Sequence, residues 1–508
     1  MINMIYEAMK RVKTIILVCL LLTMTTCDLL DITPNDTVDL EDFYAVPSEA
    51  EAALIGAYIQ TYTVFTDQLF FNNRSSDDLT APLDGRQSDP LMFRPSLNLG
   101  SGEPIGLWNN SYSALASINL LLERVPQINP NLFAAPTQSG VASRQQQILG
   151  EASFLRAYLY YHLVMFFGDV PLVIEFPKSS DPQDNLVSRT ATSDVMRQVM
   201  EDLTFAETVI PWNHDGRAVL REEQIIQSKG RATKAAAKLL MARIHLYNED
   251  WQLAIDKCRE IIASGEYRLE TRWTRIFNSP ENSGNQNTSE SILEIQNRRG
   301  SDQFNNTGGY SWFHQDGSPR RGATQEAYDL FEGTVTSPRD VRKVFSMFQR
   351  LEEPTQIYAL KYRNAFPWWD PQDPFNFIPM RLTECYLIIA EALNELGYPN
   401  SEALTNINLI RARARDLNFI DGPVPGIEPY SFAQFDTQEK FRAAIREERR
   451  REMMFEGQRW FDLLRYDKYD GTTVAQTVVG LTSPEKTLFP IPASERVLNP
   501  NLTQNPGY

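Results

Sequence analysis

Apolar residues return every three or four positions along much of this chain, the period of an α-helix that turns one face to a core. From Trp108 a stripe continues through Tyr112, Leu115, Ile118 and Leu122. In "RQQQILGEASFLRAYLYYHLVMFFGDVPL" a second stripe joins Ile148, Ala152, Leu155, Leu159, His162 and Phe166, and Gly168 and Pro171 stop it. "KAAAKLLMARIHLYNEDWQLAIDKCREIIASGEY" reads as two helices about a turn at Asn248–Asp250. Ala236, Leu240, Ile244 and Tyr247 line the first, and Trp251, Ala254, Cys258 and Ile261 the second. A similar pair recurs in "RLTECYLIIAEALNELGYPNSEALTNINLIRARA", with Leu382, Tyr386, Ile389 and Leu393 before its turn and Ala403, Ile407 and Ile410 after it.

Ala242 and Ala254 resemble the close-packing positions of a tetratricopeptide helix pair. One such pair cannot bury its own face, so several must stack. Strand signals are few and short, "VPLVIEF" and "SILEIQN". The expected fold is therefore mainly α, with tetratricopeptide-like helix pairs as a scaffold, long irregular loops and few short strands. Between the two clearest pairs the pattern breaks. "NSPENSGNQNTSE", "RRGSDQFNNTGGYSWFHQDGSPRRG" and "RNAFPWWDPQDPFNFIP" are rich in Gly, Asn, Ser, Pro and aromatics. Loops this long in a compact protein are usually functional or disordered, and disorder is poor in aromatics. They read as a loop surface resting on the helices.

One helical stripe carries acids. Setting 438–456 on a helix aligns Phe441, Ile445, Glu448, Glu452 and Phe455, so two carboxylates interrupt an apolar face. Buried acids must be paired or protonated. Arg449, Arg451, Arg459, Arg465, Arg411, Arg413 and Arg415 are available, and Gly457 allows a break. Paired carboxylates also do general acid–base work in glycosidases. Here the surrounding arginines lower both pKa values, whereas a general acid needs a raised one. The stretch reads as structural ion pairing, and no catalytic residue is assigned.

The 508 residues, 42% hydrophobic and 22% charged, are those of a globular protein. A formal charge of -16 argues against a nucleic-acid partner, which needs clustered Lys and Arg. The 4 Cys and 4 His form no C-x-x-C and no pair at metal-ligand spacing, so neither a metal nor another cofactor is expected. Near the start, Lys10, Arg11 and Lys13 precede an apolar run from about Ile15 to Met24. A span needs about 20 apolar residues, so the run reads as a signal peptide, residues 1–26. Cys27 stands at the cleavage point, as the lipidated first residue of a bacterial lipoprotein does, although Thr26 departs from the usual small residue there. The plainer alternative is a secreted protein with an incidental Cys27. Cys258 and Cys385 lie in apolar helical stretches and read as core thiols that need not pair.

Several of these segments together resemble a known family. "EERRREMMFEGQRWFDLLRY" and the terminal "LFPIPASERVLNPNLTQNPGY" resemble the carboxy-terminal signature of SusD/RagB outer-membrane lipoproteins of Bacteroidetes. "GEASFLRAYLYYHLVMFFGDVPLV", "IPMRLTECYLIIAEALNELG", "LWNNSYSALASINLLLERV" and "CDLLDITPND" resemble its amino-terminal signature, central helix, early helix and start. The resemblance runs from Cys27 to Tyr508 and implies one α-helical domain, with an amino-terminal part over about 27–230 and a SusD/RagB part over about 231–508. It implies four tetratricopeptide-like pairs, and non-enzymatic binding of nutrients at the cell surface. The ligand would be a glycan, less often a peptide, and the partner a SusC-like TonB-dependent transporter. The lipid anchor would hold the chain at the outer membrane. An (α/α)-barrel glycosidase is the reading from a different class, but no spacing supplies its two facing carboxylates.

A glycan binder presents aromatic faces to sugar rings and a few polar groups to hydroxyls. Tyr310, Trp312 and Phe313 in "GGYSWFHQ", then Trp368 and Trp369 in "FPWWDP", are the candidates. Asn305, Asn306, His314, Gln315 and Asp370 are polar companions, and Asn72, Arg74 and Asp77 in "FNNRSSDD" a third loop. Trp312 can equally anchor its loop in a core, and one of Trp368 and Trp369 is expected to pack inward. Trp108, Trp212, Trp251, Trp273 and Trp460 read as core.

Overall fold

The computed structural model describes residues 43–80, 102–134, 141–179, 181, 186–214, 228–277, 287–296, 314–315, 318–319, 322–333, 339–349, 357–359, 361, 376–415, 427–478 and 484–508. Among the described residues, eight helices of twelve residues or more form the scaffold: α1 (Pro47–Arg74), α2 (Gly102–Arg124), α3 (Arg144–Phe167), α4 (Thr192–Val209), α5 (Lys234–Tyr247), α6 (Trp251–Ala263), α7 (Thr383–Leu396) and α8 (Ser401–Arg413), with three short helices between α6 and α7. Each packs on the next, giving four helix pairs in a continuous stack. Two more, α9 (Gln438–Met453) and α10 (Arg459–Asp470), close it, α9 against α7 and α8, and α10 against α1.

Local sequence explains the limits of these helices. Ser143 and Gln146 form a capping box at the start of α3, and Gly168 ends it at φ +73°. Thr233 caps α5, Asn400 caps α8 and Thr437 caps α9, each accepting an otherwise orphaned backbone N–H. The stripe expected on α3 is only part of what it buries. Nearly the whole circumference is covered, because α1, α2 and α4 surround it and Phe166 stacks on Phe489 of the carboxy-terminal segment at 5.1 Å. Apolar residues on every side mark such a central helix. In α5 and α6 the methyl side chains of Ala236, Ala237, Ala242 and Ala254 are fully buried, and they let the helix axes approach closely. Cys258 and Cys385 are free and buried, and burial pushes the Cys258 thiol up. Trp108, Trp273 and Trp460 are core, and Trp212 and Trp251 pack against it half-buried.

Strands are short. β1 (Leu79–Thr80), β2 (Ser291–Ile295), β3 (His314–Gln315), β4 (Ser318–Pro319), β5 (Gly322–Ala323), β6 (Met347–Gln349), β7 (Ile357–Ala359) and β8 (Phe377–Arg381) pair antiparallel. They form a four-stranded sheet of order β1-β5-β7-β6 and the pairs β2-β8 and β3-β4. The strand expected in "SILEIQN" is β2. The one expected in "VPLVIEF" is not formed beyond a single bridge from Val170 to Thr190. Side chains take its backbone groups instead: the Val173 carbonyl accepts from Tyr160 Oη and Asn119 Nδ2, and the Val173 N–H donates to Tyr160 Oη. α9 also ends earlier than its apolar period suggests. It stops at Met453, and the chain turns through left-handed conformations at Phe455 (φ +64°) and Gly457 (φ +73°). A Cβ on Gly457 would lie 3.0 Å from the Leu69 Cα, so α1 leaves room only for glycine there.

Candidate functional site

Glu448 and Glu452 of α9 are fully buried, and with Asp340, Glu290 and Glu456 they face Arg342, Arg381, Arg411, Arg413, Arg451 and Lys361. Glu452 accepts from Arg342 Nη1 at 3.0 Å, Arg381 Nη1 at 2.8 Å and Arg413 Nη2 at 2.5 Å. Glu448 pairs with Arg342 and Arg411, both at 2.8 Å. Arg342 also binds Asp340, Arg381 and Arg413 both bind Glu290, and Lys361 and Arg381 both bind Glu456. Burial alone would raise the Glu452 carboxyl. Arg413, Arg381 and Arg342 outweigh burial and hold it far below the usual carboxylate range. For Glu448 the opposing cations are Arg342, Arg451 and Arg411, and the carboxyl is again lowered. Neither acid can hold a proton to donate at neutral pH, so they cannot form an acid–base pair.

Only part of this network follows from the neighbouring sequence. Arg411, Arg413 and Arg451 serve the two acids as expected, whereas Arg449 binds Glu384 and Asp462, Arg459 binds Asp77, and Arg465 binds Glu391 and Asp462. Arg342, Lys361 and Arg381 come from the irregular region between the helix pairs and were not foreseen. The available signal was a cation inside an apolar run, as in "FIPMRLTECYL" and "IYALKY".

The strand register brings together the roots of the two aromatic-rich segments. Ile295 pairs with Phe377, so the point where one segment departs lies beside the point where the other returns. Gly322 pairs with Tyr358, so the return of the first lies near the departure of the second. Side chains tie the first junction: Asn376 Nδ2 donates to Glu294 Oε1 at 2.9 Å and to Gln296 Oε1 at 3.2 Å. Gln296 and Asn287 exchange amide hydrogen bonds at 2.8 and 3.0 Å. Burial pushes the Glu294 carboxyl up against hydrogen bonds from its neighbours. β1, which follows the third candidate stretch, pairs with β5.

Tyr310, Trp312, Phe313, Trp368, Trp369 and Asp370 lie outside the described residues, as does Cys27. His314 opens the β3–β4 hairpin, pairing with Pro319. Asn72 and Arg74 correct the expectation of a third loop. They occupy the last turn of α1 and are buried, because α10 and the Phe455–Gly457 corner pack over that end of the helix. Asn72 Nδ2 donates to the Gln68 carbonyl one turn back. Asp77 is spent on Arg459, at 2.7 and 2.8 Å.

Elsewhere a cavity of about 850 Å³ opens beside α2, lined by Tyr112, Leu115, Phe176, Pro177, Leu498 and Leu502 among others. Several polar groups on its wall are committed: Tyr112 Oη to the Pro171 carbonyl, Asn119 to Val173 and Arg156, and Asn499 to the Val187 carbonyl. Asn109, Ser113, Glu175, Lys178 and Glu495 also line it. No cluster of three or more His, Cys, Asp or Glu fit to hold a metal occurs among the described residues.

Comparison with known proteins agrees with this architecture at both ends of the chain. A model described as the SusD family matches residues 372–508, and one described as starch-binding associating with outer membrane matches 66–246. SusD-like proteins P2 and P38 of Formosa agariphila are 26% and 24% identical, each over 98% of this chain and 100% of the relative. Among solved structures, a SusD homolog from Bacteroides thetaiotaomicron covers 93% of this chain and 99% of its own at 20% identity, with a TM-score of 0.72. A laminarin-binding SusD-like protein covers 92% and 100% at 23% identity, with a TM-score of 0.66. At these identities the structural likeness establishes the fold.

Proposed function

The chain belongs to the SusD-like family, and from that premise we propose that it binds oligo- or polysaccharide at the cell surface, unchanged, for delivery to a TonB-dependent outer-membrane transporter. The observation that carries the reading is the shared anchoring of the two aromatic-rich segments through the β2–β8 and β5–β7 pairs. Tyr310, Trp312 and Phe313 belong to one segment and Trp368 and Trp369 to the other. Two segments rooted together can set their rings along one ligand, with His314 and Asp370 beside them for hydroxyls. Stacking on aromatic faces supplies much of the affinity, because water already satisfies sugar hydroxyls. Asn72 and Arg74, buried in the last turn of α1, are left out of this reading.

A glucan is the first ligand class to try, because one family description names starch and one structural neighbour is named for laminarin. The depressed carboxyls of Glu448 and Glu452 argue against this one pair as a general acid and base. No helix among the described residues is long and apolar enough to cross a membrane. In this reading acyl chains on Cys27 hold the protein at the outer membrane, at least two being needed for firm binding. Native affinity gels containing laminarin, starch or a panel of other glycans test the proposal. Retardation by at least one, with no new reducing ends released, is expected. Migration unaffected by every glycan would overturn it.

A further inference from the structure

A cavity of about 540 Å³ lies between the amino-terminal helices and the carboxy-terminal part of the chain. α3 packs against α1, α2 and α4, and Tyr161, Val164, Met165 and Gly168 near its end line this space. Met196 of α4 and Ile244 and Tyr247 of α5 extend that wall. Leu464 and Lys468 of α10 form the other, with Thr473, Gln476 and Leu488 beyond them. The size and the apolar and aromatic walls are those of a pocket for a small molecule. Tyr161 is only 5% exposed, yet its hydroxyl makes no hydrogen bond to the described residues. A buried phenol usually finds a partner. Tyr58 finds Glu151 at 2.8 Å, Tyr158 finds Gln68 at 2.7 Å, and Tyr160 finds the Val173 carbonyl at 2.7 Å. A hydroxyl left over at a cavity wall is one that a ligand can pair. The Tyr247 hydroxyl and the Gln476 carboxamide on the same walls are likewise uncommitted among the described residues.

Lys468 supplies charge at the mouth. Its side chain is exposed, and Nζ lies 4.9 Å over the Tyr247 ring and donates to the Tyr247 carbonyl at 3.3 Å. It forms no ion pair among the described residues. The adjacent Asp467 is occupied, accepting from Thr472 Oγ1 at 2.7 Å and from the Val474 and Ala475 N–H groups at 2.6 and 2.7 Å. Burial pushes the phenols of Tyr161 and Tyr247 up, so both stay protonated and able to donate at neutral pH. We propose that this cavity is a second binding site, which takes a small amphipathic monocarboxylate. The apolar body lies against Val164, Met165, Met196 and Leu488, the carboxylate pairs with Lys468, and the Tyr161 hydroxyl bonds a polar edge. A single lysine, in a chain of net charge -16, suits one negative charge better than the two of a phosphate. Flexible methionine side chains let the wall fit apolar bodies of differing outline. The site is separate from the aromatic-rich segments and does not depend on the glycan reading.

Calorimetric titration of the full mature chain tests the site, with naphthoate as the probe and naphthamide as its uncharged counterpart. Lys468 is exposed and Tyr161→Phe keeps the ring, so both variants should melt close to wild type. Naphthoate should bind wild type more tightly than naphthamide does. Lys468→Met should weaken naphthoate about tenfold, by loss of a charge-assisted hydrogen bond, and leave naphthamide unchanged. Tyr161→Phe should weaken naphthoate about fivefold. Met196→Trp, which fills the space, should abolish binding of both probes and so separates this cavity from the one beside α2. No heat of binding from naphthoate at millimolar concentration would overturn the proposal. So would a Lys468→Met protein that binds naphthoate as wild type does, or a folded Met196→Trp protein that still binds it. Glycan retardation in native gels should be the same in Lys468→Met and wild type. If no glycan slows wild type, the glycan reading fails alone, and the calorimetry still decides this site.

Discussion

Removing the Glu452 carboxylate is the sharpest perturbation of the buried ion-pair network. Glu452→Ala takes one acid from a cluster in which Arg342, Arg381, Arg413, Arg411 and Lys361 face Asp340, Glu448, Glu452, Glu290 and Glu456. Breaking a buried pair from one side costs about 3–5 kcal/mol, because a charge is left uncompensated out of water. Each arginine that loses Glu452 keeps another carboxylate: Asp340 and Glu448 for Arg342, Glu290 and Glu456 for Arg381, Glu290 for Arg413. That residual pairing sets the expected loss near the lower bound, about 3 kcal/mol. Glu452→Gln should lose less, since the amide oxygen still accepts one hydrogen bond. Urea denaturation followed by circular dichroism measures both, reading the midpoint at unchanged slope. A Glu452→Ala protein as stable as wild type would refute the assignment of structural ion pairing. So would a normally stable variant that had lost a hydrolytic activity present in wild type.

Three further outcomes follow. Gly457→Ala should destabilise by about 1–3 kcal/mol, because alanine is strained at φ +73° and its Cβ would crowd Leu69; an unchanged midpoint would remove that corner from the account. Burial, aided by Arg243 and opposed by the hydrogen bond to the Tyr158 carbonyl, lowers the His162 pKa to about 3. Its folded value thus lies below the unfolded one of about 6.5, so its contribution is intact above pH 6.5 and is lost as pH falls towards 3. The stability of wild type minus that of His162→Asn should decline across that window, and a flat difference would contradict the burial. Cys27→Ser should release the protein from the outer membrane into soluble fractions, and undiminished membrane association would contradict acyl anchoring.

The helical scaffold was legible because its signal is repetitive. The stripes on α2, α5, α6, α7 and α8 each mark a face that packs on the next helix, and Gly168 ends α3 as its sequence suggests. What escaped was decided by contacts distant in sequence. Asn72 and Arg74 sit in a polar stretch that looks like a loop, yet they continue α1, because the corner after α9 supplies hydrogen-bond partners to that end of the helix. "VPLVIEF" carries strand-forming residues, but Tyr160 and Asn119 claim its backbone before a neighbouring strand can. The acids of α9 announced a need for cations without naming them. Arg342 and Arg381 arrive from segments with no period of their own, and only the fold brings them within reach.

The central claim is that two segments rooted together bind one glycan through their aromatic rings. Isothermal titration calorimetry decides it most directly, using a glycan that slows wild type in a native gel and the alanine variants of Trp312, Trp368 and Trp369. Loss of a stacking ring should remove about 1–3 kcal/mol of binding, by analogy with aromatic stacking on bases. That is roughly tenfold to over a hundredfold in Kd. Trp312→Ala and at least one variant from the second segment should show it, with melting temperatures close to wild type. Wild-type affinity in all three variants would contradict the claim, and so would a loss confined to variants that no longer fold.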